Sequence, residues 1–225
     1  MRKSLSHRSI SCLVVLFSAL LLPNLVYSGQ RAGQHDLNLR VYTYADYSPY
    51  QIKLIKGRVA FIFERAGIRV NWLDCSKRLE GDQLPSACSH PPGDADLVIR
   101  LLVQSPSVDA VARTARVADS YASGSGGTYG SVSCAAIREL ARRDRTSEVE
   151  ILGHAISHEI GHLLLGVQAH TTTGIMKPIW NDRDLLDMVE TNGLLFSGAQ
   201  AERLKLNLET RRKSAETGQA SSQNR

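Results

Sequence analysis

The sequence predicts one α+β domain, with a twisted mixed sheet in its first part and a small helical part at its C-terminal end. The chain has 225 residues, of which 43% are hydrophobic and 22% are charged, as expected for a single globular domain. Alternating apolar and polar residues from Asp36 to Tyr44 predict a first strand. Apolar residues at helical spacing from Tyr50 to Ala66 predict a helix that ends at Gly67. The order strand, helix, strand, strand and then helices favours the α+β class.

Turn residues mark the loops between these elements and the end of the domain. Prolines and glycines between Ser76 and Asp94 predict a loop, and four glycines between Ser123 and Gly130 predict an irregular segment. Residues 214–225 are polar and contain few apolar side chains, which is typical of a disordered tail. The domain is therefore predicted to span residues 29–213.

Helix starts in the second half of the chain are marked by capping patterns. Ser147 with Glu150, and Ser197 with Gln200, have the spacing at which a hydroxyl and a carboxyl or amide side chain cap each other's backbone amides. Each pair precedes a helical apolar pattern. The remaining predicted strands cover residues 68–73, 96–104 and 128–133, and the predicted helices cover 135–143, 147–165, 183–189 and 197–212.

The N-terminal segment has the three-part pattern of a signal peptide. Three basic residues precede an uncharged, mainly apolar run from Ile10 to Leu22, and Val26 and Ser28 suit a cleavage site before Gly29. A retained membrane anchor is the alternative, but the run has only 13 residues, whereas a membrane span needs about 20. We expect residues 1–28 to be removed and the protein to be secreted or periplasmic.

The charge of the chain does not call for a polyanionic partner. Residues 1–28 hold three of the 27 cationic residues and none of the 22 acidic ones, so their removal lowers the formal net charge from +5 to +2. A value so near zero gives no reason to expect nucleic acid or an anionic membrane as a partner. We expect a monomer that binds neither.

The cysteines predict a disulfide rather than a metal site. Cys12 lies in the leader, and Cys75 and Cys88 enclose a polar segment with a proline, so export would allow them to form a bond. Cys134 is then left over. Three cysteine metal ligands are the alternative, but no C-x-x-C spacing supports them.

The sequence His158-Glu159-Ile160-Gly161-His162 matches H-E-x-x-H within a predicted helix. Histidines four residues apart project from the same side of a helix, so both can bind one Zn²⁺. Glu159 lies about 100° further round the helix and can act as general base on a zinc-bound water. This arrangement predicts hydrolysis of a peptide bond without a covalent intermediate. A chance match on an ordinary helix is the alternative.

A catalytic zinc site needs a third protein ligand, for which the sequence offers several candidates. His170 is the first, because Gly166 can end the helix and the intervening residues allow the chain to fold back. Asp182, Asp187 or Glu190 could instead approach from the next predicted helix.

The stretch HEIGHLLLGVQAH, followed by Gly174-Ile175-Met176, resembles the metzincin clan of zinc metallopeptidases, over about residues 147–180. It is also similar to small predicted secreted bacterial metallopeptidases. Three residues separate the second histidine from the glycine, and three separate the glycine from the last histidine, where the clan pattern has two and two. The resemblance implies a zincin fold with a twisted mixed sheet and an active-site helix. It also implies that His158, His162 and His170 are zinc ligands and that Glu159 is the general base. Gly166 would then be the turn glycine, and Met176 the methionine of the Met-turn.

Three further features have open interpretations. His154 extends the histidine face of the helix by one turn, but a third ligand on the same straight helix would lie too far from the metal, so a buried structural role is favoured. Trp180 packs either near the site or over the core. The stretch Gly126–Ser133 forms either an edge strand for a substrate backbone or a flexible loop.

The predicted function is that of an exported zinc endopeptidase with a peptide or protein substrate. Two alternatives remain: a non-catalytic, zinc-stabilised binding domain, and a zinc hydrolase that acts on a non-peptide amide. The presence of Glu159 favours catalysis, because a structural zinc site has no use for a general base.

Overall fold

The computed structural model describes residues 35–76, 83–103, 118–123, 126–190 and 193–222, all within one compact unit. The signal peptide predicted for residues 1–28 lies outside these ranges. In the part of the chain that is described, no helix has the length and apolar character of a membrane span.

Five strands and five α-helices occur within the described ranges. In chain order they are β1 (His35–Thr43), α1 (Pro49–Arg65), β2 (Ile68–Asp74), β3 (Asp96–Leu102), β4 (Ala118–Ser123), β5 (Gly126–Ser133), α2 (Cys134–Asp144), α3 (Glu148–Leu165), α4 (Asp182–Glu190) and α5 (Gly198–Ser222), with a 3₁₀ turn at Ser86–Ser89.

The five described strands form one sheet in the order β2-β1-β3-β5-β4. The strands β2, β1, β3 and β5 are parallel, and only β4 is antiparallel to its neighbour. The prediction of a mixed sheet is therefore met only through this edge strand, and the domain is better described as mixed α/β. The strand predicted over residues 128–133 is confirmed within β5. The expected edge position of Gly126–Ser133 is wrong, and so is the alternative of a loop, because β5 pairs with both β3 and β4.

One hydrophobic core lies between the sheet and the helices α1 and α3. Leu37, Leu39 and Val41 alternate along β1 with polar residues, and all three are buried in the same cluster as the apolar residues of α1 and α3. The start of α1 carries a complete capping box between Ser48 and Gln51. The central helix α3 is buried along almost its whole length. Its packing therefore fixes the positions of the side chains described below.

The start of α3 differs in one detail from the capping pattern in the sequence. The Ser147 hydroxyl accepts a hydrogen bond from the Glu150 amide at 3.4 Å, as predicted. The carboxylate of Glu150, however, forms an ion pair with Arg58 of α1. The contact between α1 and α3 therefore uses the side chain that a reciprocal cap would need.

The last helix is longer than the sequence predicted. A complete capping box between Ser197 and Gln200 starts α5, and the helix continues to Ser222 instead of ending near residue 212. The prediction of a disordered tail from residue 214 is wrong as far as Ser222, and residues 223–225 lie outside the described part. Within residues 214–222, Ala215, Glu216, Gln219 and Ala220 have high helix propensity, which favours continuation of the helix.

A disulfide links Cys75 to Cys88, as the spacing predicted, and Cys134 is a free, buried thiol. Residues 87–90, around the second cysteine, are also tied to the sheet, because the Arg40 guanidinium donates hydrogen bonds to the carbonyls of Ala87 and His90 at 2.5 and 2.7 Å. This short segment therefore packs on the face of β1 that carries Arg40, opposite the apolar residues of the core.

Candidate metal centre

The helix α3 presents His158 and His162 to one point. The two residues are four apart, so their rings project from the same side of the helix, with centroids 4.7 Å apart. Their exposed fractions are only 9% and 6%, and that of the adjacent Glu159 is 4%. Such burial of three ionisable side chains requires compensation by specific partners.

Backbone carbonyls fix the tautomers of both rings. Nδ1 of His158 lies 2.7 Å from the Ile175 carbonyl oxygen, and Nδ1 of His162 lies 3.3 Å from that of Gly166. A carbonyl oxygen only accepts, so each Nδ1 carries a hydrogen and each neutral ring has its lone pair on Nε2. Metal-binding histidines are commonly oriented by such a second hydrogen bond.

Three ring nitrogens converge on one position. Nε2 of His162 lies 3.0 Å from Nε2 of His158 and 3.0 Å from Nε2 of His170, and these atoms all lie within 4.8 Å of one another. Tetrahedral zinc with bonds of about 2.0–2.1 Å would separate two nitrogens by about 3.3 Å. The spacing of the three side chains is therefore that of a group that could hold a metal ion.

The electrostatics of this group also suit a metal. Lone pairs that face each other at such distances repel unless a cation lies between them. Burial lowers the pKa of His158 to about 4, and it also lowers the pKa of His162. At neutral pH these two rings are therefore neutral, so protons do not relieve the repulsion between the lone pairs. A divalent cation would relieve it, and imidazole nitrogens are suitable ligands for one.

The turn after α3 brings His170 to the other two histidines. Gly166 ends the helix with φ of 93°, a conformation that favours glycine, and its carbonyl accepts a hydrogen bond from Ala169 at 3.3 Å. Beyond the histidine, the Thr171 amide donates to the Met176 carbonyl at 2.9 Å. His170 itself is exposed to solvent, so the group is open on that side.

The acidic alternatives for the third position lie elsewhere. Among the described residues, the three histidines are the only group of potential ligands close enough together to share an ion. Asp182 and Glu190 are the end residues of α4, and Asp187 pairs with Arg183 at 3.0 Å.

Met176 is fully buried against the glycine inside H-E-x-x-H. A Cβ on Gly161 would overlap Sδ of Met176, so the methionine packs directly on the helix backbone. The amide of the preceding Ile175 donates to the Leu195 carbonyl at 3.1 Å, and Gly174 adopts φ of 74°. Met176 therefore packs against the helix that carries His158 and His162, while the carbonyl of the preceding Ile175 orients the His158 ring. Nothing in the sequence indicated that Gly161 serves this contact.

Trp180 lies beside the histidines rather than over a distant part of the core, a choice that the sequence left open. Its ring meets that of His158 edge to face, with centroids 5.7 Å apart. Lys177 and Asp184 form an ion pair across the intervening segment, and Asp184 also accepts a hydrogen bond from the Asn181 amide at 2.8 Å. These contacts fix the segment that carries the tryptophan.

The strand β5 approaches α3 closely at Glu159. A Cβ on Gly130 would lie 2.9 Å from Cδ1 of Ile99 on the neighbouring strand, which is closer than side chains normally approach, and 3.6 Å from Cβ of Glu159, an ordinary van der Waals contact. Cβ of Glu159 therefore packs against β5, and its side chain is buried there. The sequence showed the glycines of this segment only as a mark of irregular structure.

His154 is a buried structural histidine, as favoured from the sequence. Its Nδ1 lies 2.7 Å from the Glu150 carbonyl on its own helix, and a Cβ on Gly193 would overlap its Nε2. Burial lowers its pKa to about 4. It takes no part in the group of His158, His162 and His170.

No protein-family model matches this chain, and neither does any curated protein sequence. Among solved structures, it is similar to archaemetzincin from Methanopyrus kandleri, with a TM-score of 0.46 and 17% identity over 80% of this chain and 98% of that one. The function of this chain is therefore inferred from its own residues.

Proposed function

We propose that this chain is a zinc-dependent endopeptidase centred on His158, His162 and His170. The observation that supports this best is the convergence of three Nε2 atoms, two of which are unprotonated because a carbonyl accepts the hydrogen on the opposite ring nitrogen. Neutral imidazoles with inward lone pairs are the form that binds a metal.

Three nitrogen ligands and an open side favour a catalytic zinc over a structural one. Structural sites are usually closed by four protein ligands, whereas catalytic sites use three and leave a position for water. When bound, zinc supplies Lewis-acid chemistry, which polarises a carbonyl and makes water acidic enough to react near neutral pH. The exposure of His170 keeps this side accessible to a substrate.

Glu159 is the residue proposed to move protons. It follows His158 directly on α3, about 100° further round the helix, and its side chain is buried beside β5, which suits a carboxylate that acts next to the histidines. It would accept a proton from the water whose oxygen attacks the peptide carbonyl carbon, and then pass that proton to the amine as the C–N bond breaks. General acid and base action of this kind contributes about 10²- to 10⁴-fold to a rate.

A peptide is the proposed substrate because a free strand edge lies next to this helix. In the described sheet, β4 is the last strand beyond β5, and no described strand pairs with its outer edge. Backbone amides and carbonyls along such an edge bind an extended peptide by adding it as a further strand. A peptide added there would run alongside the helix that carries the histidines.

Export is a second part of the proposal. The three-part pattern of residues 1–28 supports it, and so does the disulfide between Cys75 and Cys88, because such bonds persist mainly in oxidising compartments. Fractionation of cells that express the chain, with mass spectrometry of the N-terminus, would test it. A chain that stays in the cytosol with Met1 present would contradict it.

The test of the peptidase proposal combines metal content with cleavage of a broad peptide library. We expect one zinc per chain after dialysis in the wild type and in Glu159→Gln and Glu190→Ala. We expect loss of zinc in His170→Ala. The wild type and Glu190→Ala should cleave peptides, and Glu159→Gln should be slower by about 10²- to 10⁴-fold.

Other results would select the alternatives. Zinc that is retained by a wild type that cleaves no peptide would support a binding domain, or a hydrolase of other amides if a non-peptide amide library is cleaved. Zinc that is lost in Glu190→Ala but retained in His170→Ala would show that an acidic side chain completes the site.

A further inference from the structure

One face of α5 carries a row of polar side chains, here called the α5 polar stripe. At 3.6 residues per turn, its members lie within about 80° of one another around the helix. The stripe runs beside an apolar face that joins the hydrophobic core. The stripe consists of Gln200, Arg203, Asn207 and Arg211, and the apolar face consists of Ala201, Leu204 and Leu208.

The stripe binds the last carbonyls of α3, which have no partners within their own helix. Asn207 donates from Nδ2 to the Leu164 carbonyl at 2.5 Å, and it is half-buried at that contact. The flanking members donate to the flanking carbonyls, Arg203 to Leu165 at 3.3 Å and Arg211 to Leu163 at 3.5 Å. Three successive carbonyls of the ligand-bearing helix are thus capped by one neighbouring helix.

The same stripe also binds the far side of the turn that carries His170. Gln200 donates from Nε2 to the Thr171 hydroxyl at 3.3 Å, and that hydroxyl donates to the Thr173 carbonyl at 2.9 Å. The stripe therefore grips the chain just before Gly166 and just after His170.

We propose that the α5 polar stripe, with Asn207 at its centre, is the element that positions His170 as the third ligand. One additional residue in a helix rotates its exit by about 100° and advances it by about 1.5 Å. The direction in which the chain leaves α3 therefore depends on where the helix ends, which is at Leu165. Contacts of α5 with that helix end and with Thr171 hold both ends of the turn that carries His170.

Asn207 is a positioning residue in this proposal, because it touches the helix end and not the metal or the substrate. The inference rests on the proposed zinc site. Removal of its amide leaves the Leu164 carbonyl without its donor, which lets the helix end and the turn shift. Outer partners of metal ligands typically change metal affinity by about 10- to 100-fold.

The test compares zinc affinity, by chelator competition or direct titration, in two backgrounds. Asn207→Leu keeps the approximate shape of the side chain and removes its donor. Thr210→Val is the control, because the exposed Thr210 hydroxyl donates to the Leu206 carbonyl of its own helix. We expect Asn207→Leu to weaken zinc binding about tenfold in the wild-type background. In the His170→Ala background, which binds zinc too weakly to keep it through dialysis, direct titration at high zinc concentration measures the remaining affinity, and we expect Asn207→Leu to change it less than twofold. Thr210→Val should have no effect in either background.

A second variant acts on the other end of the turn. Thr171→Val removes the hydroxyl that accepts from Gln200 without touching α5, and we expect it to weaken zinc binding only when His170 is present. Thermal unfolding of each metal-free variant checks that it folds. If Asn207→Leu does not fold, this variant decides the question.

Two outcomes would overturn the inference. Unchanged zinc affinity in both variants would show that the stripe does not position the ligand. An equal loss with and without His170 would show a general loosening of α3. If the wild type binds zinc but cleaves no peptide, the peptidase proposal is refuted, and the zinc affinities of the variants still test the role of the stripe. If the wild type binds no zinc, both proposals are refuted.

Discussion

The contact between Gly161 and Met176 allows a sharp test of the packing beneath the histidines. In the Gly161→Ala variant, the new methyl group would overlap Sδ of Met176 and lie 3.1 Å from both Cε of Met176 and Cε1 of Phe196. Met176 has no exposed surface and follows Ile175, whose carbonyl orients His158. The methionine therefore cannot move freely away from the helix.

The expected magnitude follows from two opposing effects. Replacement of glycine by alanine within a helix adds about 1 kcal/mol to the free energy of unfolding, whereas overpacking of a core costs about 1–3 kcal/mol. We expect Gly161→Ala to lower the free energy of unfolding by about 1 kcal/mol. In a Met176→Ala background the overlap with Sδ is absent, so Gly161→Ala should raise the free energy of unfolding by about 1 kcal/mol. The two substitutions are then coupled by about 2 kcal/mol.

Urea unfolding of the metal-free proteins, followed by circular dichroism, measures these differences without a contribution from bound metal. Gly57→Ala is the matched control, because Gly57 is also inside a helix, α1, and a Cβ there would have no atom within 4 Å. It should stabilise both backgrounds by about 1 kcal/mol. If Gly161→Ala stabilises the wild type as Gly57→Ala does, the close packing of Met176 on the helix is wrong.

Three further predictions concern stability. Replacing Cys75 and Cys88 by serine should lower the free energy of unfolding by about 3 kcal/mol, and a reductant should lower that of the wild type equally. Burial lowers the folded pKa of His154 from 6.5 to about 4, so the unfolded chain binds more protons between these values. The contribution of His154 should therefore be complete above about pH 6.5 and lost towards pH 4, about 3 kcal/mol in all. Urea titrations of His154→Gln should show a pH dependence smaller by this amount, while His158 and His162 still contribute in the same direction. Gly193→Ala should destabilise by about 2 kcal/mol through its positive φ and its overlap with His154, and His154→Ala should restore the part due to overlap in a double-mutant cycle.

Local patterns in the sequence predicted the helices well, because a capping pattern at a helix start lies within four residues. The Ser197 and Gln200 box forms as predicted, and so does the glycine turn at Gly67, with φ of 75°. The alignment of His158 with His162 also follows from helix periodicity alone. These features need no knowledge of the rest of the chain.

Features that depend on which elements become neighbours were not predictable in the same way. The stretch Gly126–Ser133 has the composition of an edge or a loop, but its pairing with β3 and β4 is a property of the whole sheet. The convergence of His170 with the pair on α3 depends on a turn held by α5. Asn207 and Trp180 act across similarly long separations, and a single polar or aromatic residue in the sequence does not reveal its partner.

Glycine has a consistent role around α3, which changes how the H-E-x-x-H pattern is understood in this chain. The helix contains Gly153 where Arg58 crosses it and Gly161 where Met176 packs, and the sheet has Gly130 opposite Glu159. Each glycine within the helix costs about 1 kcal/mol relative to alanine, so helix stability alone would select against them. Close packing of the neighbouring elements offsets that cost, and beside Gly161 it accompanies the contact of the Ile175 carbonyl with the His158 ring. The second variable position of the pattern is therefore constrained by Met176, fifteen residues further along the chain.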